Sequence, residues 1–276
     1  MTRILVLANE TIGGEKLLAA IRERAREGDV HFHVVVPTVR PRHGNVIYDE
    51  AVRDSAQIRV DLALAFAHAE RISATGEVGD QDPFNAAMDA IREHPVDELI
   101  VSTLPAGQSA WLKRDLIARL EEATGKPVHH VVVNLKRDGL PFDVTLVVAN
   151  LTVSAPELVE RLEALAAEGP HRFIVVVPQD HGLGHAVQEA RERLNTLLDT
   201  LERDGIVAAG MVGDPDPYTA TMNAVDYFHL SQIVISTLPE AQSKWVADKL
   251  VDRVQSATNL PVEHIESQPA AAGAEA

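Results

Sequence analysis

A chain of 276 residues with 25 Lys+Arg, 41 Asp+Glu, 12 His and no Cys carries a formal charge of -16, with 46% hydrophobic and 24% charged residues. At roughly 100 to 200 residues per domain, this length suggests two globular domains. The absence of cysteine excludes disulfides, thiolate nucleophiles, iron–sulfur clusters and Cys-ligated zinc. The acidic balance argues against nucleic-acid and membrane partners, because both present anions.

The opening Met1-Thr-Arg-Ile-Leu-Val-Leu-Ala-Asn9 is too short for a secretory leader, and no apolar run approaches the ~20 residues of a membrane helix. It reads as the first strand of a cytoplasmic protein. Further strands are expected near 31–37, 75–79, 98–102 and 128–133, with helices in the gaps, a β-α-β pattern that indicates a parallel sheet. Val34-Val-Val36 and Leu99-Ile-Val101 are continuously apolar, as in strands covered on both faces. His31 and His33 point to one face of their strand, and Arg40-Pro-Arg42-His43-Gly44 reads as a solvated basic loop. Asp82-Pro83 places a capping carboxylate before a proline at the first helical position. Ser109 stands where a second helix cap is expected, and Leu112, Leu116, Ile117 and Leu120 form one helical stripe behind it. The linker from Asn134 to Pro141 spans at most about 28 Å, so the two halves should lie side by side.

The second half repeats the first. Leu5-Val-Leu-Ala-Asn9-Glu-Thr11 matches Leu146-Val-Val-Ala-Asn150-Leu-Thr152 at an offset of 141, and from Gly76 onward the offset is 134. There Gly76-Glu-Val-Gly79-Asp80-Gln-Asp82-Pro83 aligns with Gly210-Met-Val-Gly213-Asp214-Pro-Asp216-Pro217. Ser102-Thr-Leu-Pro-Ala-Gly-Gln-Ser-Ala-Trp111 shares seven of ten residues with Ser236-Thr-Leu-Pro-Glu-Ala-Gln-Ser-Lys-Trp245, and Pro127-Val-His-His130 pairs with Pro261-Val-Glu-His264. The expected domains are 1–134 and 142–266, joined by a 135–141 linker and followed by a disordered tail, 267–276. Ser154-Ala-Pro-Glu157 has the spacing of a capping box.

Five parallel strands per copy, with Gly-x-x-Gly-Asp-x-Asp-Pro before the fourth strand and a Pro-Val strand at the close, resemble the universal stress protein family. The resemblance implies two tandem Rossmann-like α/β/α sandwiches with five-stranded parallel sheets in the order 3-2-1-4-5. It also implies a stress-response role, with ATP bound by a subset of members through Gly-x2-Gly-x9-Gly-(Ser/Thr). At the three glycine positions this chain has Ser102, Pro105 and Asp115, then Ser236, Pro239 and Lys249, so the phosphate cradle is replaced in both copies.

Ligands of such sheets bind beyond the carboxyl ends of the strands where the strand order reverses. Asn9, Thr11, Ser102 and Thr103 should converge there in copy one, with Gln108 and Ser109 in the following loop. Asn150, Thr152, Ser236 and Thr237, with Gln242 and Ser243, should do so in copy two. Trp111 and Trp245 have packing or stacking roles. The set suits a small neutral ligand, with an adenine nucleotide or nucleoside as the candidate, and no cofactor is fixed by the residues. His181 and His185 beside Asp180 have ligand-like spacing without a third strong ligand, so no metal site is expected. No catalytic set emerges. The preferred reading is a non-catalytic regulatory protein that binds a small molecule or a regulatory protein partner, an intramolecular pseudo-dimer able to form a homodimer. The alternatives are an ATP-binding protein or nucleotide hydrolase using the crevice between the first and fourth strands, and a pure interaction scaffold.

Overall fold

The computed structural model describes residues 1–40, 49–180, 185–239 and 242–268. Most of the basic loop, His181, Gly182-Leu-Gly184 and the tail from 269 lie outside the described residues. Two compact units divide the chain, Met1–Val39 with Ser55–Pro141, and Arg40–Asp54 with Phe142–Ala276.

The first unit contains β1 (Thr2–Leu7), α1 (Glu15–Arg26), β2 (Val30–Pro37), most of α2 (Asp49–Ala69), β3 (Ser73–Gly79), α3 (Pro83–Glu93), β4 (Glu98–Thr103), α4 (Leu116–Thr124), β5 (Val128–Val132) and the short α5 (Leu135–Asp138). Its sheet is parallel, in the order β3-β2-β1-β4-β5. The second unit contains β6 (Asp143–Val148), α6 (Pro156–Glu168), β7 (His171–Pro178), α7 (Ala186–Arg203), β8 (Ala208–Gly213), α8 (Pro217–Tyr227), β9 (Gln232–Thr237), α9 (Lys244–Ala247), α10 (Leu250–Ala257) and β10 (Val262–Glu266). Its order, β8-β7-β6-β9-β10, is the same topology. Both sheets therefore have the 3-2-1-4-5 order that the resemblance implies. Alternating helices pack on the central strands, and Val34-Val-Val36 and Leu99-Ile-Val101 are buried throughout. Among the described residues no helix is long and apolar enough to cross a membrane.

The glycines of the repeated Gly-x-x-Gly motif serve close packing. A Cβ on Gly79 would stand 2.6 Å from Ala86 Cβ of α3, and one on Gly213 2.7 Å from Ala220 Cβ of α8. Only a bare backbone lets these helices sit so near the sheet. The caps beside them form as expected: Asp82 accepts from the Phe84 and Asn85 amides, and Asp216 from the Thr219 amide.

Three details differ from the sequence reading. The helix expected through Leu112 and Leu120 is broken at Asp115, which is left-handed at φ 49°, so a 3-10 turn (Leu112–Arg114) precedes α4. Lys249 at φ 53° separates α9 from α10 in the same way. The capping box at Ser154 does not form, because Ala155 is the cap residue and Pro156 opens α6 without a side-chain bond. Ser267, where the disordered tail was expected to start, is buried, and its amide donates to the Thr237 carbonyl at 2.8 Å.

Candidate functional site

In each unit the strand order reverses between the first strand and the fourth, and the expected polar residues gather at the carboxyl ends of those strands. In the first unit Asn9 and Thr11 follow β1, Ser102 and Thr103 end β4, and all four are buried. Asn9 Nδ2 donates to the Pro37 carbonyl at 3.0 Å. Asn9 Oδ1, Thr11 Oγ1 and Ser102 Oγ have no hydrogen-bond partner among the described residues. Three such atoms in one place carry a desolvation cost that water or a ligand would relieve.

The second unit satisfies the corresponding atoms itself. Ser236 Oγ donates to Thr152 Oγ1 at 2.8 Å and lies 3.2 Å from Ser267 Oγ, while Thr152 Oγ1 donates to the Ser236 carbonyl. Val133 holds the place of Ser267 in the first unit, its amide donating to Thr103 as that of Ser267 does to Thr237. The missing hydroxyl accounts for part of the difference. Asn150 Nδ2 donates to Asp180 at 3.2 Å, and Arg193 donates to both Asn150 Oδ1 and Asp180.

Above this network the second unit opens a cleft of about 250 Å³ lined by Asn150, Leu151, Thr152, Asp180, Ser236, Thr237, Leu238, Gln242, Ser243, Lys244 and Trp245. All six ligand-binding candidates of copy two are among them. Trp245 is half-buried in the wall, whereas Trp111 packs against the first unit's core. A second hollow, about 330 Å³, sits at the opposite end of the first sheet among Arg22, Arg26, Asp29, Glu70 and Arg71; the sequence reading did not single it out.

Among the described residues, several backbone amides after β4 and β9 are bonded within the protein. The amides of Gln108 and Ser109 donate to the Pro105 carbonyl at 2.8 and 3.0 Å, and those of Gln242 and Ser243 donate to the Pro239 carbonyl at 2.8 and 3.1 Å. The next free helical amides are capped, Leu112 by Ser109 Oγ and Val246 by Ser243 Oγ. These six amides are thus not open to a phosphate.

One pairing escaped the sequence reading. Thr103 Oγ1 lies 2.8 Å from His130 Nε2, and Thr237 Oγ1 lies 2.8 Å from His264 Nε2. The signal was present, since both copies keep Thr at the end of the fourth strand and His in the fifth, but only the parallel register brings them together. Each hydroxyl donates its proton to the next carbonyl, Leu104 or Leu238, so it accepts from the imidazole N–H. That polarity is opposite to the one a histidine base needs to activate a hydroxyl nucleophile. Burial also pushes the His130 pKa below its ordinary value, keeping the ring neutral. Among the described residues, His33, Glu77 and His94 bring two imidazoles and a carboxylate within 4.8 Å of one another, away from this crevice on the α3 side of the first sheet.

No protein-family model and no curated protein matches the chain. Among solved structures it is similar to a universal stress protein from Archaeoglobus fulgidus DSM 4304, with 14% identity over 96% of each chain and a TM-score of 0.33. That similarity is too distant to transfer residue roles.

Proposed function

We propose that the protein is a non-catalytic, small-ligand-binding member of a stress-response or regulatory system, and that its ligand is a nucleoside or nucleoside monophosphate held in the cleft of the second unit. The observation that carries this reading is the composition of the cleft. Neutral amide and hydroxyl groups from Asn150, Thr237, Gln242 and Ser243 share it with one indole face, Trp245. Such a wall suits a planar ring and sugar hydroxyls. A chain charge of -16 opposes added phosphates; the lining carboxylate, Asp180, is ion-paired to Arg193, and Lys244 is the cleft's sole cation among the described lining residues.

The ATP-binding or hydrolytic reading finds less support. It needs backbone amide donors, and after β4 and β9 those of Gln108, Ser109, Gln242 and Ser243 are already bonded to the Pro105 and Pro239 carbonyls. The regulatory role rests on the family resemblance of the sequence alone.

Trp245 supplies the test. In a Trp111→Phe background, adenosine should change the Trp245 emission saturably, and Gln242→Ala, which removes a lining amide with no side-chain bond of its own among the described residues, should weaken that response at least about tenfold. An emission indifferent to adenosine and AMP would leave the interaction-scaffold reading in place.

A further inference from the structure

We propose that His33, Glu77 and His94 form a three-ligand site for a divalent transition-metal ion of the zinc class, with a fourth position open to solvent. His33 stands on β2, Glu77 on β3, and His94 is the C-terminal cap residue of α3. Their ligand atoms all lie within 4.8 Å of one another. His33 Nε2 is 3.2 Å from Glu77 Oε1, and His94 Nε2 is 3.9 Å from Glu77 Oε2. Ligands on a tetrahedral zinc ion with bonds near 2.05 Å are about 3.3 Å apart, so the first pair is already at that spacing and the second needs a small inward turn of His94. The His94 side chain is 42% exposed and free to make it.

The hydrogen bonds around His33 form a relay that supports a lone pair at this point. His33 Nδ1 lies 2.9 Å from Thr75 Oγ1, which is 3.0 Å from His31 Nε2, while His31 Nδ1 lies 2.8 Å from Ser73 Oγ. In the tautomer in which His33 Nδ1–H gives to Thr75 and Thr75 gives to His31, Nε2 is left with a lone pair, the form that a metal would bind. His33 is only 8% exposed, yet its Nε2 has no hydrogen-bond partner among the described residues. A cation placed between this nitrogen and the Glu77 carboxylate oxygen 3.2 Å away would meet a ligand atom on each side. Two imidazoles and one carboxylate select zinc-like ions over magnesium or calcium, and Thr75 is the outer partner that ligating histidines require. The carboxyl end of α3 adds a favourable dipole.

The second unit shows that the fold does not need these polar groups. By strand register the residue equivalent to His33 is Ile174, paired with Leu146 as His33 is with Leu5. Met211 takes the place of Glu77, opposite Val176 as Glu77 is opposite Val35. Phe228 caps α8 with its amide on Ala224, as His94 caps α3 with its amide on Ala90. An apolar trio thus fills the same three positions.

The experiment titrates chelator-treated full-length protein with Co2+ and then Zn2+. One equivalent of Co2+ should give the visible absorption of a four-coordinate ion, and Zn2+ should displace it. His94→Phe, which installs the second unit's residue at an exposed cap, and Glu77→Gln should each weaken Co2+ binding at least about tenfold. Unfolding midpoints measured in chelator establish that both variants are folded. Absence of the visible band, or a smaller loss in either folded variant, would overturn the proposal and reduce the trio to a histidine–carboxylate ion pair.

Discussion

Thr237 accepts a hydrogen bond from His264 across two parallel strands, Oγ1 to Nε2 at 2.8 Å, while its own proton goes to the Leu238 carbonyl. Thr103 and His130 repeat the relation at the same distance. The pairing secures the edge strand at the rim of the crevice. Thr237→Val keeps the shape and removes the acceptor, so it should cost about 0.5–1.5 kcal/mol in urea unfolding. Thr237→Ser should recover most of that loss, since it restores the hydroxyl.

Close approach of helix and sheet makes a second expectation. Gly213→Ala puts a methyl 2.7 Å from Ala220 Cβ and should destabilise the protein by about 1–3 kcal/mol, read as a lower urea midpoint. Gly107→Ala, with no atom within 4 Å of the added carbon, should change stability by less than about 0.5 kcal/mol.

Lys249 and Asp115 occupy the left-handed conformation that glycine adopts without steric cost. Lys249→Gly should therefore stabilise by about 0.5–1 kcal/mol after the added freedom of the unfolded chain is counted. Asp115→Gly should gain less, because aspartate tolerates this region better. Parallel denaturation curves decide the order.

Acid should destabilise the fold before its carboxylates titrate. Burial lowers the His171 pKa, with Arg172 adding to the effect while Asp143 and Glu168 oppose it. Burial likewise lowers His31, helped by His33, Arg3 and His94. A histidine with a depressed folded pKa leaves the unfolded chain binding more protons once the pH drops below the ordinary 6.5. Stability is thus fully present above that pH, falls as pH drops towards the folded values, and levels off beneath them. His171→Gln should flatten part of that slope in thermal melts recorded from pH 7.5 to 5.

Much of the architecture was legible because its signals are local. Continuous apolar runs located the strands, and Asp82-Pro83, Asp216-Pro217, Ser109 and Ser243 marked helix starts that the side-chain bonds realise. The breaks at Asp115 and Lys249 were not legible, since neither residue type announces a left-handed turn. Pro156 opens α6 by its fixed ring, which made the Ser154 box unnecessary. Crevice residues could be named from strand ends, but not the closure of Thr152, Ser236 and Ser267 into one network, or the meeting of His33, Glu77 and His94. Those depend on register and helix packing across distant segments.

The most direct test of the ligand assignment is a calorimetric titration of adenosine, AMP, ADP and ATP at fixed salt, with and without Mg2+, into the protein and its Asp180→Asn variant. Affinity should fall with each phosphate, and Asp180→Asn should narrow the gap between adenosine and AMP, since it removes the carboxylate beside Asn150 and leaves Arg193 without its partner. ATP binding more tightly than adenosine, unchanged in Asp180→Asn, would contradict that assignment.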